Sequence, residues 1–135
     1  MINSLRDATA LKVNPNRIFS ANNDEIKSGA TTDIYFINTR DVLRSVNKLD
    51  TQVTAEIFTR TTGMFAGLAE VLELLSDAPV KIEALPEGQY FSPKEVVMRI
   101  TGSYGAFGLH ETNLLGILSS SCAWATAARE CVEAA

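Results

Sequence analysis

Side chains that could carry out catalysis are scarce in this sequence of 135 residues. His110 is the only histidine, so a histidine-based metal site or a cysteine–histidine nucleophile pair has almost nothing from which to be built. Cys122 and Cys131 lie nine residues apart on one predicted helix, and steps of about 100° place them on opposite faces. No paired carboxylates stand near a nucleophile. From these residue types and spacings we predict no catalytic residue and no metal site in this chain.

The segment TTDIYF at residues 31–36 has the strongest functional signal. Two threonines and Asp33 precede an apolar periodicity, so a side-chain oxygen can accept a hydrogen bond from the first helical turn. The apolar stripe is predicted to face a core, and it consists of Tyr35, Thr39, Val42, Leu43, Val46 and Leu49. Tyr35 would then be either a partly buried core tyrosine or a ring with one edge open to a ligand.

Three other candidates have ordinary structural interpretations. The glycine-rich segment at residues 102–108 matches neither a dinucleotide fingerprint nor a phosphate loop, and is predicted to be a flexible turn before a helix that Glu111 starts. Arg60 follows a predicted strand and could meet a phosphate or a carboxylate, although such a residue is usually a solvated charge. Lys94 lies at a predicted hairpin tip, which could present a modified lysine or be a plain surface turn.

Composition limits the class of protein. The chain is 46% hydrophobic and 21% charged, which fits one globular domain. A net charge of −4 with scattered basic residues argues against a nucleic-acid partner. Neither a secretory signal nor an apolar run of membrane-spanning length is present, so we expect no membrane partner. With two unpaired thiols, these features predict a cytoplasmic protein.

The predicted elements form an α+β layout, with antiparallel short strands that carry helices on one side. Residues 1–22, which include Pro15, are predicted to be an extended arm with little structure, and residues 23–135 to be the folded domain. In the domain a single helical turn ends at Gly29, before the later elements. These are a helix at 32–48, a strand at 51–59, a helix after Gly63, strands at 80–84, 90–91 and 96–101, and a final helix from 111.

Several segments resemble, in order, the N-terminal part of nicotinate phosphoribosyltransferase from bacteria and archaea. The resemblance covers residues 25–135 and is specific only when the segments are taken together. The matching segments are Ile26–Gly29, Thr31–Phe36, Phe65–Leu72, Ala84–Gly88, Phe107–Gly116 and Ala125–Arg129.

This resemblance implies an α/β hammerhead domain that precedes a phosphoribosyltransferase barrel. It implies transfer of phosphoribose from phosphoribosyl pyrophosphate to nicotinate in NAD salvage, assisted by ATP hydrolysis and magnesium that the full-length enzyme would bind. Tyr35 matches the tyrosine that stacks on the pyridine ring bound in a neighbouring subunit, so a homo-oligomer, specifically a homodimer, is expected. Asp33 and Thr32 match the same motif and would position the tyrosine, and Arg60 would face a phosphate or the nicotinate carboxylate.

Two departures from the family pattern leave alternatives open. His110 stands where relatives commonly have tyrosine, and it does not match the histidine that becomes phosphorylated, which belongs to the barrel. The sequence ends at Ala135, where family members continue into the barrel, so we expect this chain to be inactive alone, as a truncated product or with a partner chain. The rival hypotheses are a biotinyl-like carrier that uses Lys94 and an interaction subunit for a separate barrel chain.

Overall fold

The structure, a computed structural model, describes residues 2–12 and 21–135. Helices and short antiparallel strands alternate along the chain, which confirms the predicted α+β class. The helices are α1 (Leu5–Thr9), α2 (Asn23–Lys27), α3 (Ile34–Ser45), α4 (Leu68–Leu74), α5 (Tyr104–Phe107) and α6 (Glu111–Ala134), with a 3-10 turn at Gly108–His110. The strands are β1 (Gln52–Phe58), β2 (Gly63–Met64), β3 (Lys81–Ala84), β4 (Tyr90–Phe91) and β5 (Val96–Ser103).

Strand β5 is the centre of a three-stranded antiparallel sheet in the order β1-β5-β3. Its pairing with β1 runs from Gln52 opposite Ser103 to Ile57 opposite Met98, and a register shift follows at Phe58. Burial alternates along β1, so one face of the strand is half buried and the other faces solvent. A separate two-stranded sheet pairs β2 with β4.

The main core lies where β5 meets α4 and α6. Met98 and Ile100 from β5 are almost completely buried, together with Val71 from α4 and Phe65 from the segment before α4. Because buried aromatic and aliphatic side chains of this size each contribute several kcal/mol, this cluster anchors α6 over the sheet. The cluster therefore fixes the start of α6, which lies next to the segment at residues 31–36.

The residues before α4 are extended and not helical, contrary to the prediction that Gly63 leads directly into the second helix. Phe65 donates its backbone N–H to Gln89 O at 2.9 Å, so this stretch pairs across to the β4 region. Helix α4 begins only after Gly67, whose φ is +97°, and the Glu87 carboxylate accepts from the N–H groups of Gly67 and Leu68. Leu72 on α4 is exposed despite its apolar side chain.

The glycine-rich segment at residues 102–108 is not a flexible turn. Its first residues complete β5, and the rest forms α5 and the start of the 3-10 turn, which lead into α6. Tyr104 N donates to Thr51 O at 3.1 Å and Gly105 N donates to Leu49 O at 2.9 Å. These two bonds hold the segment against the residues that precede β1.

Half of the apolar stripe predicted for α3 faces outward. Tyr35, Val42 and Val46 are 64%, 63% and 57% exposed, whereas the buried residue of this helix is Ile37. At about 100° per residue Ile37 lies on the opposite face from the stripe. It packs there against Ile2 and Leu109 in a second, smaller core. The core assignment was therefore wrong for these three residues, whereas the other three members of the stripe are half buried. Periodicity alone cannot tell a core face from an uncovered one.

The N-terminal residues contain more structure than the extended arm predicted from sequence. Ser4 caps α1 by accepting from Asp7 N, and Leu5 N donates to the Asp41 carboxylate of α3 at 2.9 Å. Residues 13–20, which include Pro15, lie outside the described residues. No helix within residues 2–12 or 21–135 is long and apolar enough to cross a membrane.

Candidate functional site

Tyr35 projects from the first turn of α3 into solvent, and Asp33 fixes the backbone from which it projects. The Asp33 carboxylate is the N-cap of the helix and accepts from Tyr35 N at 2.9 Å, as the sequence predicted. The Tyr35 ring packs edge-to-face against Phe36, with centroids 5.2 Å apart and planes at 80°. The phenol thus has one aromatic contact within the domain, while most of the ring remains open.

The start of α3 is tied to the start of α6 by side-chain contacts. Asp33 N donates to the Thr112 hydroxyl at 3.2 Å, and the Thr31 hydroxyl lies 3.0 Å from the Asn113 side-chain oxygen. Thr32 is partly buried, and its hydroxyl has no hydrogen-bond partner among the described residues. Tyr35 therefore projects from a helix start that is hydrogen-bonded to the start of α6.

Tyr104 is a neighbour of Tyr35 that sequence reasoning did not connect with it. Burial raises the pKa of Tyr104, and the nearby Glu111 and Tyr35 raise it further, whereas the Thr39 hydroxyl and Arg40 lower it. Burial also raises the pKa of Glu111, which stands in the first turn of α6 as predicted. The phenol of Tyr104 therefore stays protonated at neutral pH and is not an activated nucleophile.

Arg60 is not brought together with Tyr35, Asp33 and Thr32. It is exposed and follows β1, and it makes no hydrogen bond or ion pair within the described part of the chain. The neighbour of Tyr35, Tyr104, contacts Thr51 at the other end of that strand. Thr51 and Arg60 flank β1 at its opposite ends. No contact within the described part of the chain links Arg60 with Tyr35.

Lys94 lies at the tip between β4 and β5, as the sequence predicted. Its φ is +67°, and its backbone N–H donates to Thr59 O at 2.8 Å. The neighbouring Glu95 carboxylate accepts from Ser92 N at 2.8 Å and closes the turn. Nothing in this tight turn points to a carrier site.

Comparison with known proteins identifies the domain. Residues 33–122, more than half of the chain, match the family described as "Quinolinate phosphoribosyl transferase, N-terminal domain". The chain belongs to this family. The matched range begins at Asp33 and includes Tyr35, Arg60 and the contact with Thr112.

Solved structures of the superfamily share the fold. The nicotinate-nucleotide pyrophosphorylase from Pyrococcus furiosus is 42% identical with a TM-score of 0.71, over 76% of this chain and 28% of that one. Human nicotinic acid phosphoribosyltransferase is 20% identical with a TM-score of 0.68, over 73% and 27%. NadC from Streptococcus pyogenes is 20% identical with a TM-score of 0.51, over 70% and 35%. The chain therefore has the N-terminal domain fold of quinolinate and nicotinate phosphoribosyltransferases and spans about a third or less of their length.

Proposed function

We propose that this chain is the N-terminal domain of a nicotinate phosphoribosyltransferase, and that Tyr35 covers the pyridine ring bound in a barrel of a neighbouring subunit. The observation that carries the proposal is the exposure of Tyr35 at a helix start fixed by Asp33 and by contacts to α6. A large aromatic ring that is held rigidly and left open is well suited to stacking on a flat ligand.

The proposed reaction forms a bond between the pyridine nitrogen of nicotinate and C1 of phosphoribosyl pyrophosphate. The bond from C1 to the pyrophosphate oxygen breaks, and pyrophosphate leaves with the electron pair. Positive charge develops on the sugar ring in the transition state. A pyridine nitrogen that is held next to C1 raises the rate, because attack from a fixed position is effectively unimolecular. Stacking on Tyr35 would restrict the pyridine to the plane from which its nitrogen can attack.

The other proposed site residues act around this ring. Asp33 sets the Tyr35 backbone through the N-cap, and Thr32 supports the same turn. Arg60, which is exposed at the other end of β1, would bind a phosphate or carboxylate supplied by another part of the assembly.

Magnesium and ATP belong to the proposed reaction, but we assign them to no residue of this chain. The described residues bring together no group of three or more His, Cys, Asp or Glu side chains that could hold a metal. On this proposal the phosphate chemistry takes place in the barrel, whether that barrel lies on the same polypeptide or on a partner chain. On this proposal the 135-residue chain has no transferase activity by itself.

The exposed face of α3 supports the proposal of a homo-oligomer. Tyr35, Val42 and Val46 form one apolar stripe that no described residue covers. Uncovered apolar faces of this kind mark protein–protein contacts in soluble proteins. An interface along α3 would bring Tyr35 to a neighbouring subunit.

The proposed location is the cytoplasm. Its reducing conditions would keep the free thiols of Cys122 and Cys131 unpaired.

Quinolinate is the second candidate substrate, because the family that matches carries its name and the 42% identical relative is a nicotinate-nucleotide pyrophosphorylase. The reaction would differ by loss of the second carboxyl group of the pyridine as carbon dioxide. The domain core and the presentation of Tyr35 would serve either ring. The choice of substrate would then lie with cationic groups outside this chain and with Arg60.

A transfer assay on the native assembly tests the proposal. The chain would be tagged at its amino terminus in its source cells and purified together with any covalently attached barrel or bound partner chain. The purified assembly would then be supplied with phosphoribosyl pyrophosphate, ATP, magnesium and one pyridine. We expect nicotinate mononucleotide from nicotinate, and none from the 135-residue chain alone. Product from quinolinate only, with carbon dioxide release, would replace nicotinate by quinolinate. No product from either pyridine would overturn the proposal.

A further inference from the structure

A cavity of about 220 Å³ lies between α3, the 3-10 turn and the loop after α4. Arg40 from α3 and His110 from the 3-10 turn line it together, on the opposite side of α3 from the exposed stripe. Apolar side chains, among them Leu74, Pro79 and Leu109, form much of the remaining wall. A concave, mostly apolar cavity with a few polar groups is the usual form of a small-molecule site.

The polar groups of this cavity have unused hydrogen-bonding capacity. The guanidinium of Arg40 donates from Nη2 to Asn3 Oδ1 at 3.3 Å, and its buried Nε has no partner within residues 2–12 and 21–135. The imidazole of His110 makes no hydrogen bond to a described residue, and its Nδ1 is buried. Buried donors without partners cost free energy, so an acceptor at this position would be favourable.

The charges around the cavity select the charge of the ligand. Lys27 is paired with Glu73 at 2.6 Å, so its positive charge is already compensated. Asp77 lines the same cavity and adds a negative charge. Burial lowers the pKa of His110 and Arg40 lowers it further, so the imidazole is neutral at pH 7. Arg40 is thus the cation of the lining that has no carboxylate partner among the described residues, and Asp77 would repel a multiply charged anion more strongly than a monoanion.

We propose that this cavity binds a small organic monocarboxylate. The carboxylate accepts hydrogen bonds from the Arg40 guanidinium and from the His110 imidazole, and its apolar body packs against Leu74, Pro79 and Leu109. Inorganic phosphate, which near neutral pH is a mixture of monoanion and dianion and has no apolar body to pack against the wall, is the disfavoured ligand. The site is separate from the Tyr35 stripe and does not depend on the proposed transferase activity.

The single histidine makes the test direct. The Cε1–H resonance of His110 would be followed by NMR while benzoate is added to the 135-residue chain, with phosphate and chloride added at equal ionic strength. We expect a saturable change with benzoate, no saturable change with the other two salts, and a higher His110 pKa in saturating benzoate, because a bound anion favours the imidazolium.

Two matched variants locate the binding. Arg40→Gln should weaken benzoate binding by roughly tenfold or more, since charge-assisted hydrogen bonds are lost. Arg44→Gln removes a charge from the same helix one turn later, outside the cavity lining, and should keep the wild-type affinity. The absence of any saturable effect, an equal effect of phosphate, or an equal loss in both variants would overturn the proposal. If Arg40→Gln fails to fold, the wild-type titrations test the proposal by themselves: saturable binding of benzoate but not of phosphate supports it, and any other result overturns it.

Discussion

Asp33 positions Tyr35 through a single hydrogen bond, since its carboxylate accepts from Tyr35 N at 2.9 Å. Asp33→Ala removes the N-cap of α3 and should lower the free energy of unfolding by about 1 kcal/mol. Urea unfolding followed by circular dichroism measures this change. Asp50→Ala is the control, because Asp50 is exposed and makes no bond to a described residue. Equal destabilisation in both variants would contradict the capping role.

His110 should make stability depend on pH. Burial and Arg40 hold its folded pKa below the ordinary value near 6.5, so the unfolded chain binds more protons at mildly acidic pH. The stability that neutral His110 provides is therefore complete above about pH 6.5 and is lost as the pH falls through the folded pKa.

The measurement is the free energy of unfolding of the wild-type chain and of His110→Gln at several values between about pH 7.5 and 5.5. The wild type should lose more stability on acidification than the variant. Glu111 acts with the opposite sign, because burial raises its pKa, but it is common to both chains and cancels in their difference. An equal loss of stability in the two proteins on acidification would contradict the assignment of this pH dependence to His110.

At the scale of residues, the sequence predicts local contacts well and exposure poorly. A capping oxygen from residues 31–33 and an acid at the start of α6 depend only on neighbouring residues, and both predictions are confirmed, with Asp33 as the N-cap. The environments of Tyr35 and His110 depend on what folds against them from distant parts of the chain. The pairing of Tyr35 with Tyr104 could have been found only from the contact between α5 and the residues before β1.

Helices α4 and α6 approach closely at Gly67. A Cβ added there would lie 3.0 Å from both Cβ and Oγ of Ser121, and the φ of +97° is unfavourable for other residues. Gly67→Ala should therefore cost about 2–3 kcal/mol of unfolding free energy, from backbone strain and overpacking together.

Gly88→Ala separates the cost of backbone strain from the cost of overpacking. Gly88 also has a positive φ, +82°, but an added Cβ would meet nothing within 4 Å. Its cost should be about 1 kcal/mol, from the backbone alone. Thermal or urea unfolding compares the variants, and equal costs would contradict the close packing of α4 on α6.

At the scale of elements, long periodic segments are predictable and short ones are not. Helices α3 and α6 and strands β1 and β5 follow from local pattern. Strand β2 has only two residues and exists because β4 pairs with it and because Met64 N donates to the Thr126 hydroxyl at 2.9 Å. Such an element is determined by its partners across the fold, so it cannot be predicted from its own two residues.

The apolar stripe of α3 should make the whole molecule associate. We expect the sedimentation coefficient of the chain to rise with concentration, and Val42→Lys with Val46→Lys to abolish that rise. Val132→Lys is a matched control, because Val132 on α6 is 70% exposed, comparable with Val42 at 63%. A monomer at every concentration, or association that only the Val132 variant abolishes, would contradict an interface along α3.

The central claim is that Tyr35 stacks on the pyridine substrate, and the KM for nicotinate in the native assembly tests it most directly. Tyr35→Ala should raise KM roughly tenfold through loss of ring stacking, with Tyr35→Phe close to wild type. Tyr90→Ala, another exposed tyrosine, is the control and should leave KM unchanged. An unchanged KM in Tyr35→Ala, with product still formed, would contradict the account.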